Sequence, residues 1–147
     1  MNYDVRAFDE LTPRQLYAIY HLRVAIFVVE QACAYQEVDA TDLTAQHLLG
    51  TDAGGQLMAY ARLIPETVQT ARIGRVIVNP AMRGQGAGRE LVQTAIARIQ
   101  KLWPTTMTIN LQAQVYLDAF YRSFGFVAVS PAYLEDGIPH RDMVLKL

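Results

Sequence analysis

Apolar residues recur along this chain at two different spacings, and each change of spacing marks the border of an element. Leu16, Ile19, Leu22 and Ile26 follow one another at three- and four-residue steps, which predicts a helix over residues 13–27. Its start is a capping box, Thr12-Pro13-Arg14-Gln15, with proline at the first helical position. A polar stretch with Glu30, Glu37, Asp39 and Asp42 interrupts the pattern and predicts an acidic loop. Residues 46–50, 56–64 and 71–78 read as strands, separated by the turn Asp52-Ala53-Gly54-Gly55 and stopped by Asn79-Pro80. Helical spacing returns at Leu91, Val92, Ala95, Ile96, Ile99 and Leu102 and ends at Trp103-Pro104. Residues 106–113 predict a strand, 115–124 a short helix stopped by Gly125, and 126–129 and 141–147 two closing strands. A run of strands followed by strands alternating with helices predicts an α/β fold, one mixed sheet with helices on both faces.

Composition narrows the class. A chain of 147 residues is expected to form one domain, residues 1–147, and 52% hydrophobic with 18% charged residues is globular. The net charge of −1 argues against phosphate-driven nucleic-acid binding. One cysteine, Cys33, forbids an internal disulfide, and three scattered histidines lack ligand spacing, so no metal site is expected. The longest apolar run, residues 24–29, is far too short to span a membrane. A soluble, cytoplasmic protein, monomeric or homodimeric, is expected. Charge is unevenly distributed: residues 1–71 hold nine acidic and four basic side chains, residues 72–147 five acidic and nine basic. Eleven of the thirteen basic residues are arginine, whose planar fork suits phosphate and carboxylate.

The strongest local signal follows the strand at 71–78. Arg83-Gly84-Gln85-Gly86-Ala87-Gly88 carries three alternate glycines and opens an amphipathic helix. Free N–H groups and the dipole at such a helix start attract phosphate oxygens, and Arg83 and Arg89 flank the loop. A P-loop is excluded because Gly88 is followed by Arg89-Glu90 rather than Lys-Ser/Thr. A dinucleotide fingerprint is poorly matched, since residues 91–117 contain no acidic side chain for the ribose.

The loop resembles the Arg/Gln-x-x-Gly-x-Gly/Ala motif of the GNAT superfamily of N-acetyltransferases, preceded as there by Val-x-Pro, here Val78-Asn79-Pro80. Ala119-Phe120-Tyr121-Arg122-Ser123-Phe124-Gly125-Phe126 resembles the second motif of that superfamily. Leu22-Arg23-Val24-Ala25-Ile26-Phe27-Val28-Val29-Glu30-Gln31, Tyr35-Gln36-Glu37-Val38-Asp39 and Glu135-Asp136-Gly137-Ile138-Pro139-His140 look like its ElaA-type branch, which extends the resemblance over nearly the whole chain.

The resemblance implies a mixed, mostly antiparallel sheet of six or seven strands flanked by about four helices. It also implies acetyl-CoA as co-substrate and an amine as acceptor. The pyrophosphate would rest on Arg83, Gly84, Gln85, Gly86, Ala87 and Gly88, and the pantetheine arm along Val76, Ile77 and Val78, provided that strand splays from its neighbour. A backbone N–H near Ile77 or Val78 would meet the acetyl oxygen.

Tyr121 is the implied general acid, although its spacing with Leu117, Phe120 and Phe124 by itself describes a core aromatic; Tyr116 is the fallback. Glu30, His47 and His140 are the candidate bases. Histidine as a residue type has its ordinary pKa in the useful range, which favours His140, whereas Glu30 needs burial to raise its pKa. Cys33 as an acyl-carrying nucleophile has no recognisable base beside it, and a free structural thiol is the simpler reading. The acidic loop is either a solvated face or an attractor for a cationic amine. The function expected is acetyl transfer to a primary amine in a ternary complex. The alternative is a non-catalytic acyl-CoA-binding sensor.

Overall fold

The computed structural model describes Met1–Leu147. Eight strands form one sheet: β1 (Asn2–Ala7), β2 (Gln46–Thr51), β3 (Leu57–Pro65), β4 (Thr70–Val78), β5 (Thr108–Gln114), β6 (Val127–Ala128), β7 (Tyr133–Glu135) and β8 (Ile138–Lys146). Their order is β1-β2-β3-β4-β5-β8-β6, with β7 paired to β8 as well. Every pairing is antiparallel except β4 with β5. Three α-helices accompany the sheet: α1 (Pro13–Val24), α2 (Ala87–Leu102) and α3 (Asp118–Arg122). No helix is long and apolar enough to cross a membrane.

The mixed, mostly antiparallel sheet agrees with expectation, but it has eight strands rather than six or seven, and three α-helices rather than four. The extra strands are β1 and β7. In β1 only Tyr3 and Val5 pack toward the core, too short an alternation to stand out among polar neighbours. Strand β7 is three residues long and forms a hairpin with β8, which begins at Ile138 rather than residue 141. The turn uses Asp136 (φ 51) and Gly137 (φ 78), the left-handed pair that suits a tight hairpin.

Helix α1 begins as the capping box dictates. Thr12 Oγ1 accepts from the Gln15 N–H (3.1 Å), and Gln15 Oε1 accepts from the Thr12 N–H (2.9 Å). It runs on past residue 27 as a π-helical turn, Ala25–Glu30, a local widening often found at functional sites. Helix α2 stops at Leu102 before Trp103-Pro104. The helix expected at 115–124 is a 3₁₀ turn, Val115–Leu117, followed by the short α3, and Gly125 leaves it with φ 102.

Helices cover both faces. Leu91, Val92, Ala95 and Ile99 of α2 join Leu48, Ala61, Leu63, Ile73, Ile109 and Met143 in the larger core, with Tyr121 and Phe126 at its α3 end. Ile19 and Leu22 of α1, with Ile26, pack on Leu49, Tyr60 and Ile77 on the other face.

One join in this sheet is incomplete. Strands β4 and β5 pair only through Thr70, Ala71 and Arg72 against Thr108, Ile109 and Asn110. Beyond Arg72 they separate, and β5 continues in register with β8 as far as Gln114 opposite His140.

Candidate active site

The gap between β4 and β5 is prepared by β4 itself. Across β3, Gly74 is opposite Arg62 and Ile77 opposite Tyr60, so β4 carries one residue more than its partner. That bulge contains Arg75, held in the left-handed region at φ 50. Past it the Asn79 N–H donates to the Met58 carbonyl (2.7 Å). Antiparallel alternation then directs the backbone groups of Ile77 toward β3 and those of Val78 into the gap. Ile77, expected to share in lining the gap with its backbone, has those groups committed to β3, and Val78 is the residue that has them free.

The glycine loop lies at the end of the same strand. Asn79 caps a short 3₁₀ turn, its Oδ1 accepting from the Ala81 N–H at 3.0 Å, and Arg83 leads into the loop in extended conformation. Gly84 (φ 76) and Gly86 (φ 78) both take left-handed angles. The first bond of α2 runs from the Glu90 N–H to the Gly86 carbonyl, so the N–H groups of Ala87, Gly88 and Arg89 have no acceptor within the helix. They form a concave set of donors at a dipole-positive helix end. A Cβ on Gly84 or Gly86 would meet nothing within 4 Å; their backbone angles, together with the open space above them, explain the glycines.

Loop and gap belong to one cleft of about 1060 Å³. It is lined by Val76, Ile77, Val78, Arg83, Gly84, Gly86, Ala87 and Gly88 on one side, with Tyr121, Tyr116, Glu30, Cys33 and His140 around it. Gln85 is outside, its amide donating to the Ala81 carbonyl at 3.2 Å. Arg89 also turns away: it donates to Ser123 Oγ (2.7 Å) and stacks on Phe124, 4.7 Å from the ring centre. The loop therefore presents one guanidinium to the cleft, that of Arg83.

Tyr121 is 6% exposed, edge-on to Phe120 and Phe126, and burial raises its pKa above the usual phenol value, with the nearby Tyr116 adding to the effect. It is both a core aromatic and a cleft residue. His140 is half-buried, stacked on Tyr133 across the β7–β8 pair. Its Nδ1 lies 2.7 Å from the Ile138 carbonyl. A carbonyl only accepts, so Nδ1 carries the proton and Nε2 of the neutral ring keeps its lone pair.

Glu30 does not meet the condition set for it as a base. It is exposed rather than buried, and its hydrogen bonds from Arg83 lower its pKa below the ordinary carboxylate value. His47 is no candidate either. It is fully buried, between Tyr60 Oη (2.6 Å) and the Asp42 carbonyl (2.8 Å), and burial lowers its pKa.

The acidic loop is not a solvated face. Glu37 and Asp42 are 2% and 1% exposed and are gripped by Arg23: Nε and Nη2 reach Glu37 at 2.6 and 2.9 Å, and Nη1 reaches Asp42 at 2.7 Å. Arg62 bridges Asp39 (2.7 Å) and Asp42 (3.1 Å), and Arg75 donates to the Glu37 carbonyl (2.8 Å). These carboxylates are matched by guanidinium groups and leave no surplus charge for an amine. Sequence spacing could not show this, because the partners lie up to 38 residues away.

A model of the acetyltransferase (GNAT) domain matches residues 15–147. The chain belongs to the GNAT family. Among GNAT relatives, a UPF0039 protein of Schizosaccharomyces pombe is 51% identical over 140 residues, 95% of this chain and 93% of its own. The crystal structure of Escherichia coli ElaA has the same fold with a TM-score of 0.91, 40% identity and 99% of both chains covered. That of an acyl-CoA N-acyltransferase from Pseudomonas aeruginosa gives a TM-score of 0.90 at 42% identity, again over 99% of both chains. GNAT membership implies acyl-CoA-dependent acyl transfer. It gives no role to Arg75, Tyr35, Gln31 or Gln114. Arg75 stands over the Tyr35 ring and Gln114 donates to Gln31 at 3.2 Å, all at the cleft wall. Gln31 and Tyr35 lie in segments of the ElaA-type resemblance that assign them no role, and Arg75 and Gln114 lie in no motif; a bulge inside a strand is visible only once the register is known.

Proposed function

We propose that this GNAT protein transfers an acetyl group from acetyl-CoA to a primary amine by direct attack within a ternary complex. The observation that carries the reading is the continuity of one cleft from the free N–H groups of Ala87 and Gly88 at the glycine loop, along the unpaired edge at Val78, to Tyr121 and His140. The same fold at low identity supports the cofactor. A GNAT acetyltransferase from Elizabethkingia anophelis (TM-score 0.70, 13% identity) has acetyl-CoA bound, and an aminoglycoside 6′-N-acetyltransferase (TM-score 0.70, 14% identity) has coenzyme A.

The residues fit such a ligand. Space above the left-handed glycines and free donors at the α2 start suit a pyrophosphate, and β4 beyond Arg72 has no strand paired to it on the β5 side, which leaves its backbone open to an extended guest. Bound there, acetyl-CoA supplies an activated acyl carbon and a thiolate leaving group. The Val78 N–H faces the gap and is the donor for the acyl oxygen. His140 Nε2 takes the proton that the amine nitrogen loses as its bond to the acyl carbon forms. Tyr121 gives its phenolic proton to the sulfur as the carbon–sulfur bond breaks, a role for which burial keeps the phenol protonated. Cys33 takes no part: its thiol donates to the Asp136 carbonyl at 3.2 Å.

Calorimetric titration with acetyl-CoA, with NAD as comparison and Gly86→Glu as the loop variant, tests the cofactor. One-site acetyl-CoA binding, lost in the variant and absent with NAD, is expected. A folded protein that binds no acetyl-CoA removes the reading. Amine-dependent release of free thiol then separates an enzyme from a sensor.

A further inference from the structure

Glu30 and Arg83 both line the cleft and bind each other there. Glu30 ends the π turn that extends α1, and Arg83 opens the glycine loop. Their side chains meet fork to fork, Nη1 to Oε1 at 2.6 Å and Nη2 to Oε2 at 2.7 Å, with both about half exposed. The residues that follow Glu30 make two more crossings. Gln31 Oε1 accepts from Gln114 at the end of β5, and the Cys33 thiol donates to the Asp136 carbonyl in the β7–β8 turn. Ala32, between them, takes a left-handed φ of 49°. Residues 30–33 are thus a strap tied at three points, and only the tie to the glycine loop is an ion pair.

That tie occupies the two terminal nitrogens, Nη1 and Nη2, of the guanidinium the loop presents to the cleft. A carboxylate and a phosphate offer a guanidinium the same pair of coplanar acceptor oxygens, and two parallel N–H donors serve one such partner at a time. Arg89 is no substitute, being fixed on Phe124 and Ser123. We infer that Glu30 is a resident competitor for the pyrophosphate of the cofactor: it holds Arg83 until the phosphate oxygens take its place, and loading the cofactor frees the strap from the glycine loop. By linkage, whatever holds the strap closed weakens cofactor binding, and cofactor binding loosens the strap by the same factor. The inference rests on the acyl-CoA reading of the cleft and gives Glu30 a part in it other than that of a base.

Calorimetric titration of the full chain with coenzyme A, in wild type, Glu30→Gln, Arg83→Gln and the double variant, tests it. Both side chains are on the surface, so the variants are expected to fold, and a thermal melt verifies this. Glu30→Gln is expected to tighten coenzyme A binding about twofold to fivefold, the range an exposed ion pair commands. In the Arg83→Gln background the same change is expected to have no effect. Unchanged or weaker binding by Glu30→Gln overturns the competition. So does tightening that persists without Arg83, because that is only the field of a removed negative charge. If wild type binds no coenzyme A, the acyl-CoA reading itself fails. If it binds and Glu30→Gln has no effect, that reading stands and the competition alone is lost.

Discussion

Gly74 of β4 lies opposite Arg62 of β3, and a side chain on Gly74 would sit 3.7 Å from Arg62 Nε. The pair marks the last regular step before the bulge, where Arg75 adopts φ 50 while its guanidinium binds the Glu37 carbonyl. Backbone angle and side-chain contact can be separated. Arg75→Ala keeps the unfavourable angle and loses the contact, whereas Arg75→Gly loses the contact and relieves the angle. Urea unfolding is expected to show the glycine variant more stable than the alanine variant by about 1 kcal/mol. The reverse order would mean that φ at this bulge carries no strain.

The Arg23 cluster makes a larger prediction. Arg23→Met leaves Glu37 and Asp42 in the interior without their main counter-charge, and removal of one member of a buried ionic group costs about 3–5 kcal/mol. The urea midpoint should fall accordingly. A variant as stable as wild type would show that water or Arg62 replaces the lost partner.

Tyr121→Phe removes only a hydroxyl from a ring whose packing against Phe120 and Phe126 is kept. Once an acceptor is in hand, kcat is expected to drop about 100-fold with coenzyme A affinity unchanged. Tyr116→Phe, 75% exposed in wild type, is the matched comparison and should lose little. Equal losses in both would move the proton donor away from Tyr121.

Stability should fall with mild acid through His47. Burial holds its folded pKa below the ordinary imidazole value of 6.5, so the unfolded chain takes up a proton that the folded one refuses. The stabilisation is fully present above pH 6.5 and is lost as pH falls toward the lowered folded value. Urea unfolding between pH 8 and about pH 5 should show that slope, and His47→Gln should flatten it. Asp39 and Asp42, lowered against desolvation by their bonds to Arg62 and Arg23, contribute a separate loss at lower pH.

The glycines of the loop are not equivalent. Gly86 is left-handed, so Gly86→Ala should destabilise by about 1 kcal/mol. Gly88 is inside α2, where a Cβ would make ordinary contact with Phe120 at 3.6 Å; Gly88→Ala should stabilise by about 0.5–1 kcal/mol. Denaturant melts of the two variants test the contrast, and a stabilised Gly86→Ala would contradict it.

What could be read from the sequence was what depends on near neighbours. The Thr12–Gln15 capping box, the stop at Trp103-Pro104 and the glycine loop before α2 are local patterns, and each is found where its residues indicate. Relations across the fold were hidden. His47 alternates like any strand residue, and only the meeting of β2, β3 and the Asp42 turn closes it off from water. Glu37, Asp39 and Asp42 have the composition of a solvated loop until Arg23, Arg62 and Arg75 arrive from three other elements. Arg83 and Arg89 flank the loop symmetrically in sequence, yet one faces the cleft and the other lies on Phe124.

The parting of β4 and β5 beyond Arg72 gives the sheet an edge in its interior. An edge at the rim of a sheet invites any passing strand, including one from another molecule. Here the opening is flanked by β5, backed by β8, on one side and by β4, backed by β3, on the other, and a strand site is only about 4.8 Å across in the plane of the sheet. Such a slot suits a slender, extended guest with amide groups to offer better than a bulky one. Selection by girth is thus built into the sheet, before any side chain is consulted.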